Sequence, residues 1–469
     1  MPFLVAFGSS LAELVDESPR VAIEVLELRL GNPFSDPWVK LAIFKARLKL
    51  GVLDTALLDS LPKKPRLLAL KYALDFLLKE GNYAAAIEIA KKFKKDVNSR
   101  AYLLWREAKA LEGAGKSPKR VLLKIVKDFP GSPQALWALE KLPKVKRSLK
   151  ARVLFEHKRY AELLELYPRP PRGASERYFY AISLYKTKRY EELARLKLPR
   201  RLKRSQRAKW LFYRSIALFR LGRVDEALAD LKRLWDLDPV RAVHEASFQI
   251  LEARAYSWAD TFYSLPSSDP EVLARKGLLA LALGDTPRAE SFLRASVEAG
   301  AGGIVKAQAA YWLWRITGDE AWRGELWADP LSYYARLAGV PILENDEEPN
   351  EWAEITPTRE DSLAAEAYSI LAQLGWPEFA SWVAGRPGAW WLAARRALER
   401  GDFWRACLWL TLLYKRGPKD RGIPKKLLRA LYPAFFEVYF RQASAEFGVP
   451  LALLLGVSRE ESRFDPEAL

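Results

Sequence analysis

A short turn followed by a helix rich in Ala and Leu recurs along this chain, and that recurrence restricts the fold more than any other feature. G-N-Y-A-A-A-I-E-I-A begins at Gly81, K-R-Y-A-E-L-L-E-L at Lys158 and K-R-Y-E-E-L-A-R-L at Lys188. G-R-V-D-E-A-L-A-D-L follows at Gly222 and G-D-T-P-R-A-E-S-F-L at Gly284. Each unit supplies a break, a residue that packs at the bend, and a second helix. Between the breaks, apolar residues recur three and four apart, as at Leu67, Leu68, Tyr72, Ala73, Phe76 and Leu77, or at Leu211, Ile216, Ala217 and Phe219, which is the helical period. Alternating strand-like runs with Asn-Gly or Asp-Gly turns are essentially missing. The spacing predicts an all-α fold.

Where the units lie close, from Tyr160 to Tyr190 to Val224, they recur at roughly 30–34 residues, near the tetratricopeptide period. D-L-D-P, ending at Pro239, reads as the close of such a repeat. One helical hairpin cannot bury its apolar face alone, whereas stacked hairpins bury a continuous core. The units are degenerate, so an irregular TPR-like α-superhelix, a solenoid of helical hairpins, is expected over residues 1–325. Glu344 to Asn350 (E-N-D-E-E-P-N) reads as an exposed loop, and Lys415 to Lys426 (K-R-G-P-K-D-R-G-I-P-K-K) as the clearest linker,.

Composition narrows the chemistry. The 469 residues include 17 Trp, 19 Tyr and 21 Phe, ample apolar area for a sizeable core,. The single cysteine, Cys407, excludes an internal disulfide framework and a Cys-based zinc site, and its neighbours A-C-L-W-L suggest a helical core position,. The two histidines, His157 and His244, are far apart in sequence, which argues against Ser-His hydrolase or His-rich metal chemistry,. No metal and no cofactor is expected. The formal charge is +18, densest in K-L-P-R-R-L-K-R-S-Q-R-A-K from Lys197 to Lys209. A run of this kind reads first as a solvated basic face, then as a surface for an anionic polymer, and last as a phosphate-binding patch. No zinc finger, RRM signature or basic zipper accompanies it, so nucleic acid is not expected as a partner. No apolar run reaches transmembrane length. The first residues, M-P-F-L-V-A-F-G-S-S-L-A, make a poor signal peptide,. Few Asn, Gln, Met and Cys beside many Arg, Glu and Pro fit a thermophilic source.

The final stretch, L-L-L-G-V-S-R-E-E-S-R-F-D-P-E-A-L from Leu453 to Leu469, carries a carboxylate at the end of an apolar helix. Pro450 suits a first turn, and Asp465-Pro466 stops the helix soon after Phe464. Leu451, Leu454, Leu455, Ser458 and Ser462 then share one face, with Glu461 at roughly 80° from its centre and Glu460 pointing away. Helical phase therefore selects Glu461 as the half-buried carboxylate. Apolar packing disfavours its charged form and suits it to donate a proton near neutral pH. A surface glutamate paired with Arg459 or Arg463 is the plain alternative.

The segment from Ala443 to Ala468 resembles the opening of the catalytic domain of soluble lytic transglycosylases, where an E-S-R-F-type motif holds the catalytic acid. L-Y-P at Leu431 to Pro433 is similar to that family's lead-in. A-A-Y-W-L-W-R and S-Y-Y-A-R-L-A upstream are similar to its helical region. The resemblance implies cleavage of the glycosidic bond between N-acetylmuramic acid and N-acetylglucosamine with 1,6-anhydro product. It would make Glu461 the single general acid and base, and Ser462 the hydroxyl that fixes the carboxylate or substrate. Arg463 and Phe464 would support the fold. It further implies a helical linker region over 326–426 and the start of a lysozyme-like domain over 427–469. Peptidoglycan glycan strands would be the partner and the periplasm or cell envelope the location. The family continues past this point with a Gly-Leu-Met-Gln segment and groove aromatics, so the chain as it stands is expected to be inactive. The alternative from another class is a non-catalytic TPR-like helical scaffold that binds a protein or peptide partner on its superhelix.

Overall fold

The recurring turns fold as one backbone motif. Lys158, Lys188, Gly222 and Gly284 take positive φ of 58°, 60°, 74° and 78°, and Gly81 takes 71°. In each turn the next residue sends its N–H back to a carbonyl of the helix just ended. Arg159 reaches Leu154 O at 2.9 Å, Arg189 reaches Leu184 O at 2.8 Å, and Arg223 reaches Leu218 O at 2.9 Å. This is the Schellman ending, which satisfies carbonyls the helix would otherwise leave unpaired. The second helix starts at once. Asn82 and Asp285 cap it by accepting from Ala85 N and Arg288 N, both at 3.2 Å. Arg159, Arg189 and Arg223 instead pair with Glu162, Glu192 and Glu226 one turn on. Arg254 (φ 54°) and Gly401 (φ 73°) build the same turn, and the sequence reading missed both.

A left-handed residue with a Cβ costs about 1–2 kcal/mol. Gly222→Ala is therefore expected to lose about 1 kcal/mol in urea unfolding. Lys158→Gly is expected to gain a few tenths to about 1 kcal/mol, since glycine also loosens the unfolded chain. Shifts of the same sign for both variants would contradict this account of the turn.

The computed structural model describes residues 10–93, 100–418, 422–431, 437–451, 454–455 and 457–458. The chain packs as two compact units, residues 100–341 and the described parts of 1–99 together with 342–469. In the unit of residues 100–341, helices pair as Lys119–Asp128 with Pro133–Lys141, Arg147–Glu156 with Tyr160–Leu166, and Ala174–Lys186 with Tyr190–Arg195. Arg204–Arg220 with Val224–Trp235, Pro239–Glu252 with Ser257–Ser264, and Pro270–Ala282 with Thr286–Glu298 continue the series. First helices of consecutive pairs touch each other, while second helices fill the spaces between first helices. That is helical-hairpin solenoid packing, TPR-like in period and turn. Small residues allow the approach: a Cβ on Gly277 would lie 2.7 Å from Leu293 Cγ.

The other unit brings distant parts of the chain together. Leu11, Val15, Ala22, Leu26, Val39, Ala42, Ile43 and Ala46 share a core with Ile370 and Leu374. Trp38 stacks on Phe379 at 4.3 Å between ring centroids, Phe34 lies against Trp382, and Asn32 Nδ2 donates to Leu363 O at 3.0 Å. Two stretches expected to be an exposed loop and a linker also meet here. Glu344–Asn345 and Ile423–Pro424 pair as two-residue parallel strands. Ile423 is fully buried and donates its N–H to Leu343 O at 2.7 Å. The Gly and Pro that mark a linker instead let this strand run close to its neighbour, where a Cβ on Gly422 would lie 3.3 Å from Leu343 O,. Among the described residues no helix is long and apolar enough to cross a membrane.

Candidate interaction surface

Successive first helices carry aromatic or large apolar side chains at one repeat position. Phe155, Tyr185, Phe219 and Leu251 each stand three residues before the left-handed turn residue. Stacking of the pairs brings them to aromatic neighbours on adjacent helices. Phe155 stacks on Phe179 at 4.6 Å, Tyr185 lies 4.5 Å from Tyr213 and 6.0 Å from Tyr190, and Phe219 lies 6.0 Å from Phe248. The Lys186 ammonium sits 5.6 Å and 5.4 Å from the rings of Tyr185 and Tyr213, a cation–π arrangement,. Burial pushes the Tyr178 hydroxyl up to about 12, and raises those of Tyr160 and Tyr185. These phenols therefore stay neutral and present hydrogen-bonding hydroxyls on apolar rings. Toward the end of the series the side chains open to solvent: Phe248 is 54% exposed and Tyr256 53%.

Two buried ionic groups hold the helices under this surface. Arg214 grips Asp230 with both arms, Nε to Oδ2 at 2.7 Å and Nη2 to Oδ1 at 3.1 Å, and also reaches Leu196 O at 3.4 Å. It thus ties the first helix of its pair to the second and to the preceding loop. Burial pushes the Asp230 carboxyl above the usual range, against the pull of Arg214 and Arg233. Lys276 is 2% exposed and donates to Tyr263 O at 3.0 Å and to Leu265 O, closing the end of the helix Ser257–Ser264. The rings of Trp235 and Phe292 lie 5.1 Å and 5.4 Å from its ammonium. Burial lowers its pKa. Both groups serve packing.

Glu461 and Ser462, expected from the sequence to act on substrate, lie outside the described residues. The helix Glu437–Phe447 before them leaves Val438, Tyr439 and Phe447 exposed. The two upstream segments that suggested an enzyme family have a packing role. Tyr311 and Trp314 surround Tyr334, Ala335, Ala338 and Val340 in one local core, with Tyr311 5.7 Å from Tyr334. Cys407 is buried, as its neighbours implied. His157 bonds the Ser132 carbonyl at 3.0 Å, joining the turns of two adjacent pairs. Among the described residues no group of His, Cys, Asp and Glu is arranged to hold a metal ion.

The fold and its turns define the chain as an all-α, TPR-like helical-repeat protein. No family model matches it, and no curated protein matches it. Among solved structures, the crystal structure of the yeast Tom70 aligns over 98% of this chain and 97% of its own, at 14% identity and a TM-score of 0.23. A likeness of that size lends no weight to any functional reading.

The expectation of a soluble lytic transglycosylase is corrected by these findings: no such family matches, and the solved structure found is not a transglycosylase. The enzyme assignment, peptidoglycan as ligand and the thermophilic source have no support, and no lysozyme-like domain is established over 427–469. The physical reason lies in the motifs themselves. Small residues beside large aromatics are what closely packed helices need, so A-A-Y-W-L-W-R and S-Y-Y-A-R-L-A arise wherever hairpins stack. The aromatic series was missed because each member is ordinary alone. Its signal is a shared offset from the turn.

Proposed function

We propose that this chain is a non-catalytic helical-repeat scaffold that binds a segment of a protein partner along the aromatic series of its first helices. The observation that carries this reading is the series itself, with Tyr185, Tyr213 and Lys186 grouped at one end and Phe248 and Tyr256 open to solvent at the other. Rigid aromatic side chains and a nearby cation are the residue types that dominate binding energy at protein interfaces. Phe248, Leu251 and Tyr256 expose apolar area that the solenoid's own core does not use,.

A peptide-display library selected on the full chain tests the proposal. Enriched peptides should lose about thirtyfold in affinity with Phe248→Ala and with Tyr213→Ala, the loss of one interface anchor each. Peptides that bind both variants as tightly as the parent would remove the site. A library that yields no enrichment over an unrelated helical protein would remove the scaffold reading.

A further inference from the structure

The loops that join one helix pair to the next differ in charge from the turns within the pairs. L-P-K-V-K-R (Leu142 to Arg147), Y-P-R-P-P-R (Tyr167 to Arg172) and K-L-P-R-R-L-K-R (Lys197 to Arg204) contain no Asp or Glu. Every Lys and Arg in the three loops is exposed. None of them enters an ion pair among the described residues, whereas Arg159, Arg189 and Arg223 in the turns are all paired. Unneutralised like charges repel one another, so the clustering costs the fold something and is not ordinary surface.

Helices within a pair run antiparallel, which places the three loops along one edge of the solenoid, opposite the left-handed turns. The Arg147 guanidinium lies 5.9 Å from the Tyr167 ring, linking the first loop to the second. Tyr167, Leu198 and Leu202 share one core, linking the second to the third. The backbone under the cations is anchored: Leu142 is 6% exposed and Tyr167 8%. Proline in every loop restricts it further. A rim already held in place loses little freedom when something binds.

Spacing and the lack of stacking faces select the occupant. Touching helices lie about 8–10 Å apart, and an extended chain advances about 3.3 Å per residue, so a carboxylate at every third residue meets one loop per step. Single-stranded nucleic acid is usually held on exposed aromatic faces. The loops' one aromatic, Tyr167, is buried beneath Arg147. We propose that the edge formed by these three loops binds an extended acidic segment of a partner protein. The proposal rests on the reading of the chain as a protein-binding scaffold, and adds a second surface with its own chemistry.

Fluorescence anisotropy with the full chain decides it. The probes are a peptide of about eighteen residues with Glu at every third position, one with the same carboxylates in a block, and a single-stranded oligonucleotide of equal charge. The periodic peptide should bind best and weaken at least about tenfold between about 50 and about 300 mM salt. It should weaken at least about tenfold in K144E/R169E/R201E and to a lesser extent in the matching Gln variant, each with an unchanged unfolding midpoint. Equal binding by the charge-reversed chain, tighter binding of the oligonucleotide, or no preference for the periodic peptide would each overturn the proposal. Phe248→Ala and Tyr213→Ala should leave this binding unchanged. Loss of rim binding alone would thus remove this surface and leave the aromatic site standing, and the converse holds as well.

Discussion

Replacing Arg214 by methionine is expected to cost about 3–5 kcal/mol, the penalty for leaving a buried charge without its partner. Asp230 is 1% exposed and holds Arg214 by two hydrogen bonds. Arg233 remains at 3.3 Å after the change, but its side chain is 67% exposed and replaces little of the loss,. The pH dependence identifies the cause. Burial holds the Asp230 carboxyl above its model value of 3.8, so the folded state binds this proton more tightly than the unfolded chain does. Stability from this group is therefore greatest in acid and falls as pH rises through the window between the unfolded and folded values. Without Arg214 the folded value rises further and the window widens. The deficit of Arg214→Met relative to the parent should then shrink between neutral pH and about pH 4, as read from urea midpoints. A deficit that stays constant or grows in acid would show that lost packing, not the stranded carboxylate, is responsible. The double variant R214M/D230L should recover most of the loss, because an apolar pair of similar size leaves no charge unpaired.

Trp38→Ala is the second large effect, at about 3–5 kcal/mol for an aromatic removed from a core. Trp38 is 4% exposed and stacks on Phe379 from a distant part of the sequence. The single cysteine reports on the same unit, since Cys407 is 2% exposed within the helix Phe403–Arg416. If the two parts of this unit open together, thiol labelling of Cys407 in Trp38→Ala should accelerate by about a hundredfold or more. Labelling at the parent rate in a destabilised variant would mean that the helix around Cys407 opens on its own.

Much of the architecture was legible because its causes are local. The turn at Gly284 can be read from Gly-Asp before an Ala- and Leu-bearing helix: glycine takes positive φ without cost, and aspartate caps the next helix. The turn at Lys158 was legible from its position in the repeat, although lysine is a poor residue for that conformation. Gly401-Asp402 has the same chemistry as Gly284-Asp285 and was missed because it falls outside the regular spacing. The strand pairing of Ile423 with Glu344 leaves no local trace, since each partner looks like loop until the other is beside it.

The candidate site was less legible than the fold. Helical phase distinguishes Glu461 from Glu460, yet phase alone says only which side a carboxylate faces, and it names no chemistry. The aromatic series had a readable signal in Phe155, Tyr185 and Phe219 at one offset from their turns. What those rings touch depends on how one pair stacks on the next.

From the residues alone follow the helical class, the hairpin repeat, the turn positions, the buried cysteine and the unbalanced basic loops. Each depends on interactions within a few residues, on composition, or on the period of the pattern. The pairing of Asp230 with Arg214, the aromatic series as one surface, the shared edge of the basic loops, and the packing of Trp38 on Phe379 follow only from the packed molecule. They depend on which helix faces meet across long stretches of chain, and that is settled by burial of the whole core rather than by any one segment.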